Sequence, residues 1–510
     1  MEQSNSLKAL RNASYSIIGF IWPLIFSLFF TPIIVFSLGT KEFGIYVFIT
    51  TIVSLLGLLD LGVSTAVTKY IAEYNSQNNR QKLQNLIGST QTIFLIMGVI
   101  GLLGVIGSME LGIYIFPNFF IDYLEYKTAI IVAVGIFFIN DISSVYTIIQ
   151  PAIQRFDITT KVGICILTAT NITTVIAVIN DYSVTDLFVI QFIFMLISMV
   201  IGIRIAKKLM PDISFRFIFD KEEIKKCYSF GLVTFLNNLA TSSLTYLDRL
   251  IIPFYVGPTN LTYYSLPGNA SNRIPAISNS LTNIVFPMTA HFEGSGNREQ
   301  TQRLYIRSLR LITIMAAVLT VLVVSFSYQI LLYWLNKDFA DTASNILIIL
   351  AFTNFFLALS GVLSQFLLGM GKLRVLSIMS ICTAVLNTIL LVILIPHWGI
   401  MGAAWAYLLS LGPIAYAFFY TEKHIFALGV RHKHHTHTWL KIILIGGILY
   451  ILNTFVLAHL ISNMFTLLLV GFTSFCIFIV LYKLCGFFET EDWNDFERFF
   501  QILIKKVRRI

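Results

Sequence analysis

Charged residues are scarce in this chain of 510 residues. Lys, Arg, Asp and Glu together make up 12% of it, roughly half of their share in a soluble globular domain. No long polar segment interrupts the apolar stretches, so no separate water-soluble domain is expected between them. With a hydrophobic content of 56%, this scarcity excludes an ordinary soluble protein and indicates a membrane protein.

Catalytic motifs and paired cysteines are also missing. We find no glycine-rich nucleotide-binding loop and no hydrolase motif, so no enzyme and no cofactor is predicted. The histidine run at 432–437 lacks nearby cysteines and acidic residues, and we interpret it as a lipid contact or a solvated loop rather than a metal site. No disulfide is expected, because the five cysteines fall inside apolar stretches or on the predicted inner face.

Fourteen apolar stretches are each about long enough to cross a bilayer core of roughly 30 Å. They cover residues 15–38, 43–67, 88–108, 128–149, 163–180, 186–203, 229–255, 265–289, 311–334, 345–368, 375–395, 399–420, 442–461 and 464–482. The first stretch is too long for the apolar core of a signal peptide, so we expect it to be retained. The pattern predicts an all-α polytopic membrane protein with about 14 transmembrane helices.

Basic residues predict the orientation of these helices. With the N-terminus inside, most of the 35 Lys and Arg residues fall on the cytoplasmic side, and only Lys41, Lys127 and Lys337 fall in outer loops. Both termini are therefore predicted to be cytoplasmic. The net charge of +9 is explained by contact with anionic membrane lipids, so no nucleic-acid partner is predicted.

The sequence contains an internal repeat. A shift of 218 residues aligns Gly39 with Gly257, Tyr46 with Tyr264, Asn79 with Asn297 and Arg80 with Arg298, and a shift of 217 aligns Arg155 with Lys372. Six helices thus repeat once, which predicts two six-helix bundles in parallel repeat around a central cavity, plus two extra C-terminal helices. Such an arrangement is typical of a transporter that works by alternating access.

The predicted domains follow from this repeat. They are an N-terminal bundle (1–206), a cytoplasmic linker (207–228), a C-terminal bundle (229–420), a basic His-rich loop (421–441), helices 13 and 14 (442–482) and a cytoplasmic tail (483–510). The tail places apolar residues among charged ones, and we expect it to lie on the membrane surface or to dock a partner enzyme.

Polar stripes mark two of the predicted helices. Residues at spacings of three, four and seven share one helical face, and polar groups on such a face avoid lipid. The stripes are Asn269, Asn272, Asn279 and Asn283 on the eighth helix, and Asn238, Thr241, Thr245 and Asp248 on the seventh. We interpret them as cavity walls that bind substrate; hydrogen bonding between helices is the alternative.

Charged residues inside the membrane are costly, which makes them candidates for function. Arg273 lies deep in the eighth helix, where it can bind a phosphate or carboxylate or form a salt bridge with Asp248. Asp141 and Asp60 can take up a proton or bind Na⁺, although Asp60 can equally cap a broken helix. Asp248 and Arg249 are assigned either to ion coupling or to structural pairing.

Short motifs in order along the chain resemble those of a known family. They are Asp60-Leu61-Gly62 with Lys69, Ile153-Gln154-Arg155-Phe156-Asp157, Asp248-Arg249-Leu250-Ile251-Ile252 with Gly257 and Tyr264, Gly369-Met370-Gly371-Lys372, and Gly399-Ile400-Met401-Gly402-Ala403-Ala404. In this order they resemble the bacterial polysaccharide flippases, the O-antigen flippases of the multidrug/oligosaccharidyl-lipid/polysaccharide exporter superfamily.

That resemblance implies transport of an undecaprenyl-diphosphate-linked oligosaccharide across the bacterial plasma (inner) membrane, for O-antigen, lipopolysaccharide, capsule or a similar polysaccharide. We also expect a glycan polymerase or glycosyltransferase as a partner. The intramembrane aspartates predict coupling to a proton or sodium gradient, and no cofactor is expected.

Three alternatives stay open. Peptidoglycan-precursor flippases resemble the chain but generally have several basic residues in the first, second and eighth helices, and the first two helices of this sequence have none. Multidrug extruders usually have twelve helices. A membrane glycan polymerase is expected to have a large outer loop with catalytic residues, and the longest predicted outer loop, 109–127, has one basic residue.

Overall fold

A computed structural model describes residues 2–115, 125–214, 216–426 and 432–486 of the chain. Within these ranges the backbone is almost entirely helical and contains no β-strand. The fold is therefore all-α, as the fourteen apolar stretches predict.

Seventeen α-helices make up the described part, joined by short turns. In the first part of the chain they are α1 (Glu2–Leu38), α2 (Thr40–Leu56), α3 (Val63–Ser76), α4 (Arg80–Ile115), α5 (Lys127–Ala152), α6 (Phe156–Ile179), α7 (Val184–Leu209) and α8 (Lys221–Val256). They continue as α9 (Pro258–Ser271), α10 (Arg273–Gly294), α11 (Arg298–Ser325), α12 (Ser327–Trp334), α13 (Lys337–Gly369), α14 (Leu373–Leu409), α15 (Gly412–Tyr420), α16 (His432–Phe455) and α17 (Met464–Leu484).

Several helices are long and apolar enough to cross a membrane. In the described part there are nine such helical segments, with two shorter apolar helices at Trp22–Leu38 and Lys441–Phe455. One of the nine, Arg374–Ile425, contains the predicted spans 11 and 12, and its backbone leaves the helical region at Gly399 (φ 58°, ψ −139°). The chain is a multi-pass membrane protein; the exact number of fourteen spans stays a prediction.

The internal repeat is visible in the backbone. Gly39 and Gly257, which are 218 residues apart, have φ, ψ angles of 81°, 163° and 84°, 166°, and each immediately precedes a helix. Such angles favour glycine because a Cβ would clash. Asn79 and Asn297 accept a hydrogen bond from a backbone N–H three residues on, in both cases over 3.1 Å. Both copies of the repeat therefore begin their equivalent helices with the same glycine conformation and the same asparagine cap.

Contacts divide the chain into two compact units. The first comprises Met1–Ser265 with Ser380–Ala406, and the second comprises Leu266–Met379 with Tyr407–Ile510. The first unit extends beyond the predicted linker because α8 packs against α2, α3 and α4. The domain boundaries taken from the sequence repeat remain a prediction.

Each unit has its own apolar core. In the first unit, buried side chains of α3, α4 and α5 pack with the end of α7 and the start of α8. In the second unit, α11 and α13 form the centre, and α16 and α17 bury residues such as Leu449 and Phe478 against them. Asn453 of α16 also links to Ser325 and Ser474, over 3.4 and 2.7 Å. The two extra C-terminal helices are thus part of the second core.

The predicted cytoplasmic linker packs against the rest of the first unit. The Ile218 N–H donates to Gly88 O over 3.2 Å, and a Cβ at Gly88 would lie 2.6 Å from Arg216 O, so glycine permits this approach. At the end of the linker, Asp220 accepts from the first N–H groups of α8. Although desolvation raises it, these hydrogen bonds hold the pKa of Asp220 below its ordinary value.

In each repeat, an arginine and a glutamine near the start of one helix contact the segment that follows the sixth helix of that repeat, and we call each set of contacts a clamp. In the first clamp, Arg80 pairs with Asp212 over 3.8 Å, and Gln84 Oε1 accepts from Ser214 N–H over 2.7 Å. In the second clamp, Arg298 donates to Ile425 O and Gln302 donates to Phe426 O, the latter over 2.6 Å. The shift of 218 residues relates Arg80 to Arg298 and Gln84 to Gln302.

Candidate functional site

The second predicted span is broken, and Asp60 stabilises the break. After α2, a short 3₁₀ turn (Gly57–Asp60) leads to Leu61 and Gly62, both with positive φ, before α3 begins. Asp60 Oδ1 accepts from the Ser64 N–H and hydroxyl over 3.0 and 3.1 Å, which satisfies donors at the start of α3. The carboxylate of Asp60 therefore acts as a helix cap.

Helix α8 approaches this break closely. A Cβ on Gly231 would lie 2.6 Å from Leu61 O, so the backbone of α8 and the break are in direct contact within the first unit. Any side chain at position 231 would force the two apart. The glycine thus allows the broken span to be supported from the side.

Asp141 lies in the middle of α5 and is 8% exposed. Its Oδ2 has no hydrogen-bond partner among the described residues, and its carboxylate interacts electrostatically with that of Asp60. The turn before Asp60 lies near α5, because Leu59 and Phe137 both approach Gly101. The first unit therefore brings Asp60 and Asp141 together, with an unsatisfied oxygen on Asp141 that can accept a proton or contact a cation.

Asp248 is also buried, at 5% exposure, but it has partners within the first unit. Its Oδ1 accepts the Arg249 N–H over 2.7 Å, and the Tyr264 hydroxyl interacts with its carboxylate. The charge of Arg249 also attracts it. Asp248, Arg249 and Tyr264, which belong to one sequence motif, thus form one polar cluster between α8 and α9.

Arg273 begins α10, immediately after a break in the eighth predicted span. Helix α9 ends at Ser271, and Asn272 has the angles φ −61°, ψ −9° with no side-chain cap. Pro267 and Pro275 flank the break, and proline lacks the N–H of a regular helix. Arg273 is half-buried, and no described carboxylate forms an ion pair with its guanidinium. A cation that has no ion-pair partner in the described part of the chain and lies at a helix break is suited to binding an anion.

The other predicted contact residues are only partly described. Asn269 and Asn272 are half-buried on either side of the end of α9, and Thr245 is half-buried on α8. The side chains of four more lie outside the described part: Asn238, Thr241, Asn279 and Asn283. Their role as cavity walls stays a prediction.

Two buried polar pairs were missed by the sequence reasoning. Gln91 donates to the Tyr146 hydroxyl over 2.8 Å in the first unit, and Asn354 donates to Ser271 Oγ over 2.9 Å in the second. Gln91 and Asn354 are amide residues within predicted apolar spans. The amide itself was the available signal, because an amide in an apolar helix is expected to face protein.

Comparison with known proteins identifies the family. The profile of the family described as "Polysaccharide biosynthesis protein" matches residues 9–293, more than half of the chain, and that of MatE matches residues 234–393. A putative O-antigen transporter of Shigella flexneri is 22% identical over 432 residues, covering 82% of this chain and 98% of that protein. An uncharacterized membrane protein of Methanocaldococcus jannaschii is 23% identical, covering 84% and 87%.

Solved structures share the fold. The lipid II flippase MurJ in an inward closed conformation superposes with a TM-score of 0.70 at 16% identity, covering 92% of this chain and 99% of MurJ. An inward-facing multidrug resistance MATE transporter superposes with a TM-score of 0.61 at 13% identity, covering 81% and 98%. These likenesses establish the fold alone. With the family match, they show that this chain belongs to the polysaccharide biosynthesis protein family of the multidrug/oligosaccharidyl-lipid/polysaccharide exporter superfamily.

Proposed function

We propose that this protein is a flippase that moves an undecaprenyl-diphosphate-linked oligosaccharide from the inner to the outer leaflet of the bacterial plasma membrane by alternating access. The cargo is a repeat unit of O-antigen, capsule or a similar polysaccharide. The observation that carries the proposal is the half-buried guanidinium of Arg273, which has no ion-pair partner among the described residues. The family match and the putative O-antigen transporter among the relatives support it.

The residues around Arg273 suit such a cargo. A guanidinium binds a diphosphate through paired, charge-assisted hydrogen bonds. The carboxamides of Asn269, Asn272, Asn279, Asn283 and Asn238 and the hydroxyls of Thr241 and Thr245 offer donors and acceptors for sugar hydroxyls. In this proposal Arg273 holds the diphosphate while the amides hold the glycan.

Asp141 is the proposed coupling group. Its Oδ2 has no hydrogen-bond partner among the described residues and is buried near the Asp60 carboxylate, where a proton or Na⁺ would relieve the repulsion between two negative charges. MATE proteins, with which this chain shares its fold, belong to the same superfamily. Coupling of transport to a proton or sodium gradient through Asp141 follows as part of the proposal.

The first experiment measures which leaflet holds the lipid-linked oligosaccharide in cells that lack the gene and in cells with the gene restored. The flippase proposal requires accumulation on the cytoplasmic leaflet in the deletion strain and clearance after restoration. Normal outward delivery of unpolymerised units would contradict it and assign the protein to polymerisation.

A multidrug extruder is the second candidate. It is favoured by the MatE profile match over residues 234–393, by the half-buried carboxylate of Asp60 and by the buried carboxylate of Asp141. In the same deletion strain, unchanged glycans with increased sensitivity to cationic drugs would support extrusion and overturn the flippase proposal.

A further inference from the structure

Arg273 follows directly after the break between α9 and α10, so its orientation depends on the contacts that fix this break. Its two prolines remove backbone hydrogen bonds, and Asn272 provides no side-chain cap for α10. One helical hydrogen bond crosses the break, from Asn272 N–H to Gly268 O over 3.0 Å, so the direction of Arg273 depends also on what packs against this turn. Helix α13, in the same compact unit, packs against α10 and hydrogen-bonds to Ser271, the last residue of α9.

A chain of hydrogen bonds runs from α13 to the last turn of α9. Asn354 Nδ2 donates to Ser271 Oγ and to Leu350 O, both over 2.9 Å, and the Ser271 hydroxyl donates to Gly268 O over 3.1 Å. Because the single proton of Ser271 is used for Gly268, its oxygen must accept from Asn354. The direction of each bond in the chain is therefore determined.

These groups are inaccessible to water. Asn354 is 1% exposed and Ser271 is fully buried, and Leu350 lies 3.9 Å from the position of a Cβ on Gly268, so the helices are close at this point. Asn354 Oδ1 has no hydrogen-bond partner among the described residues. An unpaired buried acceptor lowers stability. An asparagine at position 354 is therefore not explained by the stability of the fold alone.

We infer that Asn354 is a positioning residue that acts through Ser271 to hold the α9–α10 break, and thereby the guanidinium of Arg273, in the orientation that binds the diphosphate. The inference rests on the proposed function of Arg273. Asn354 does not contact the cargo. Its effect is transmitted by the Ser271 hydroxyl, two residues before Arg273.

The test measures binding of undecaprenyl diphosphate to the purified full-length protein in lipid nanodiscs. Asn354→Leu keeps the side-chain size without the donor, and Ser271→Ala removes the hydroxyl. Thr353→Val is the matched control, because Thr353 is equally buried and its hydroxyl donates within its own helix, to Ile349 O over 2.9 Å. Each variant is also combined with Arg273→Ala, and thermal unfolding is recorded for all of them.

Asn354→Leu and Ser271→Ala are each expected to weaken binding by roughly tenfold, and the double variant no more than either single one, because both break one link. Thr353→Val should change binding less than about twofold. In the Arg273→Ala background, both losses should disappear. Ser271→Thr keeps a hydroxyl and should retain most of the affinity, which preserves a test if Asn354→Leu fails to fold.

Two results would overturn the inference. One is an equal loss of binding in the presence and absence of Arg273, and the other is an equal loss in Thr353→Val; either would make Asn354 a general support of the helix packing. A separate failure concerns the proposed function: if Arg273→Ala binds undecaprenyl diphosphate as tightly as the wild type, the assignment of Arg273 to the diphosphate is wrong.

Discussion

At the residue scale, Arg273 carries the strongest functional prediction. Replacing it with Ala should reduce export of the lipid-linked oligosaccharide at least about tenfold, because a charge-assisted hydrogen bond to a buried anion is lost. Arg273→Lys should restore only part of the activity, since an ammonium lacks the paired donors of a guanidinium. Export is measured as glycan reaching the outer leaflet, relative to protein abundance in the membrane.

Arg204→Ala is the control for Arg273, because Arg204 is an exposed basic residue on α7. Removing it changes the net charge equally but should leave export unchanged. If both substitutions reduced export to the same extent, the role of Arg273 would be one of overall charge rather than of cargo binding.

The carboxylates of Asp60 and Asp141 have different surroundings, which predicts different effects of substitution. Asp60→Asn should retain activity, because an amide oxygen can still cap α3. Asp141→Asn removes the ionisable group, whose Oδ2 has no hydrogen-bond partner in the described part of the chain, and should abolish the response of export to collapse of the proton or sodium gradient. Ionophores selective for each ion, applied to cells that express each variant, provide the measurement; a preserved response in Asp141→Asn would refute the coupling role.

At the scale of secondary-structure elements, the two clamps predict that Gln84 and Gln302 each protect the segment they contact from proteolysis. Gln84→Ala should increase tryptic cleavage at Arg216, and Gln302→Ala should increase it at Lys423, each by several fold, since losing one hydrogen bond costs about 1 kcal/mol. Both basic residues are exposed. Cleavage is followed by mass spectrometry on the detergent-purified protein.

Nearby glutamines provide matched controls for the clamps. Gln81 and Gln300 lie on the same two helices, and both are exposed. Their replacement by Ala should leave cleavage at Arg216 and Lys423 unchanged. Equal acceleration by Gln81→Ala and Gln84→Ala would mean that the first helical turn of α4, and not the clamp, protects the linker.

At the scale of the whole molecule, the distribution of basic residues predicts the orientation in the membrane. A cysteine at position 127 should react with a membrane-impermeant maleimide added to intact cells, whereas one at position 207 should react only after the membrane is opened. The five native cysteines are first replaced by serine. Reaction at 207 in intact cells, without reaction at 127, would reverse the predicted orientation.

Sequence alone was sufficient for the helical class, the membrane location, the repeat and the family resemblance, because hydropathy, periodicity and motif order are local properties of the chain. It also predicted the polar residues Asp60, Asp141 and Arg273 as exceptional, since charge in an apolar span is visible without coordinates. Tertiary structure alone decided which groups meet: Asp60 caps α3 beside Asp141, Gly231 contacts the broken span, and Asn354 holds Ser271. These contacts join residues up to 170 positions apart in the sequence, as Leu61 and Gly231 are, and such pairings depend on how helices pack, which the hydropathy of each helix does not specify.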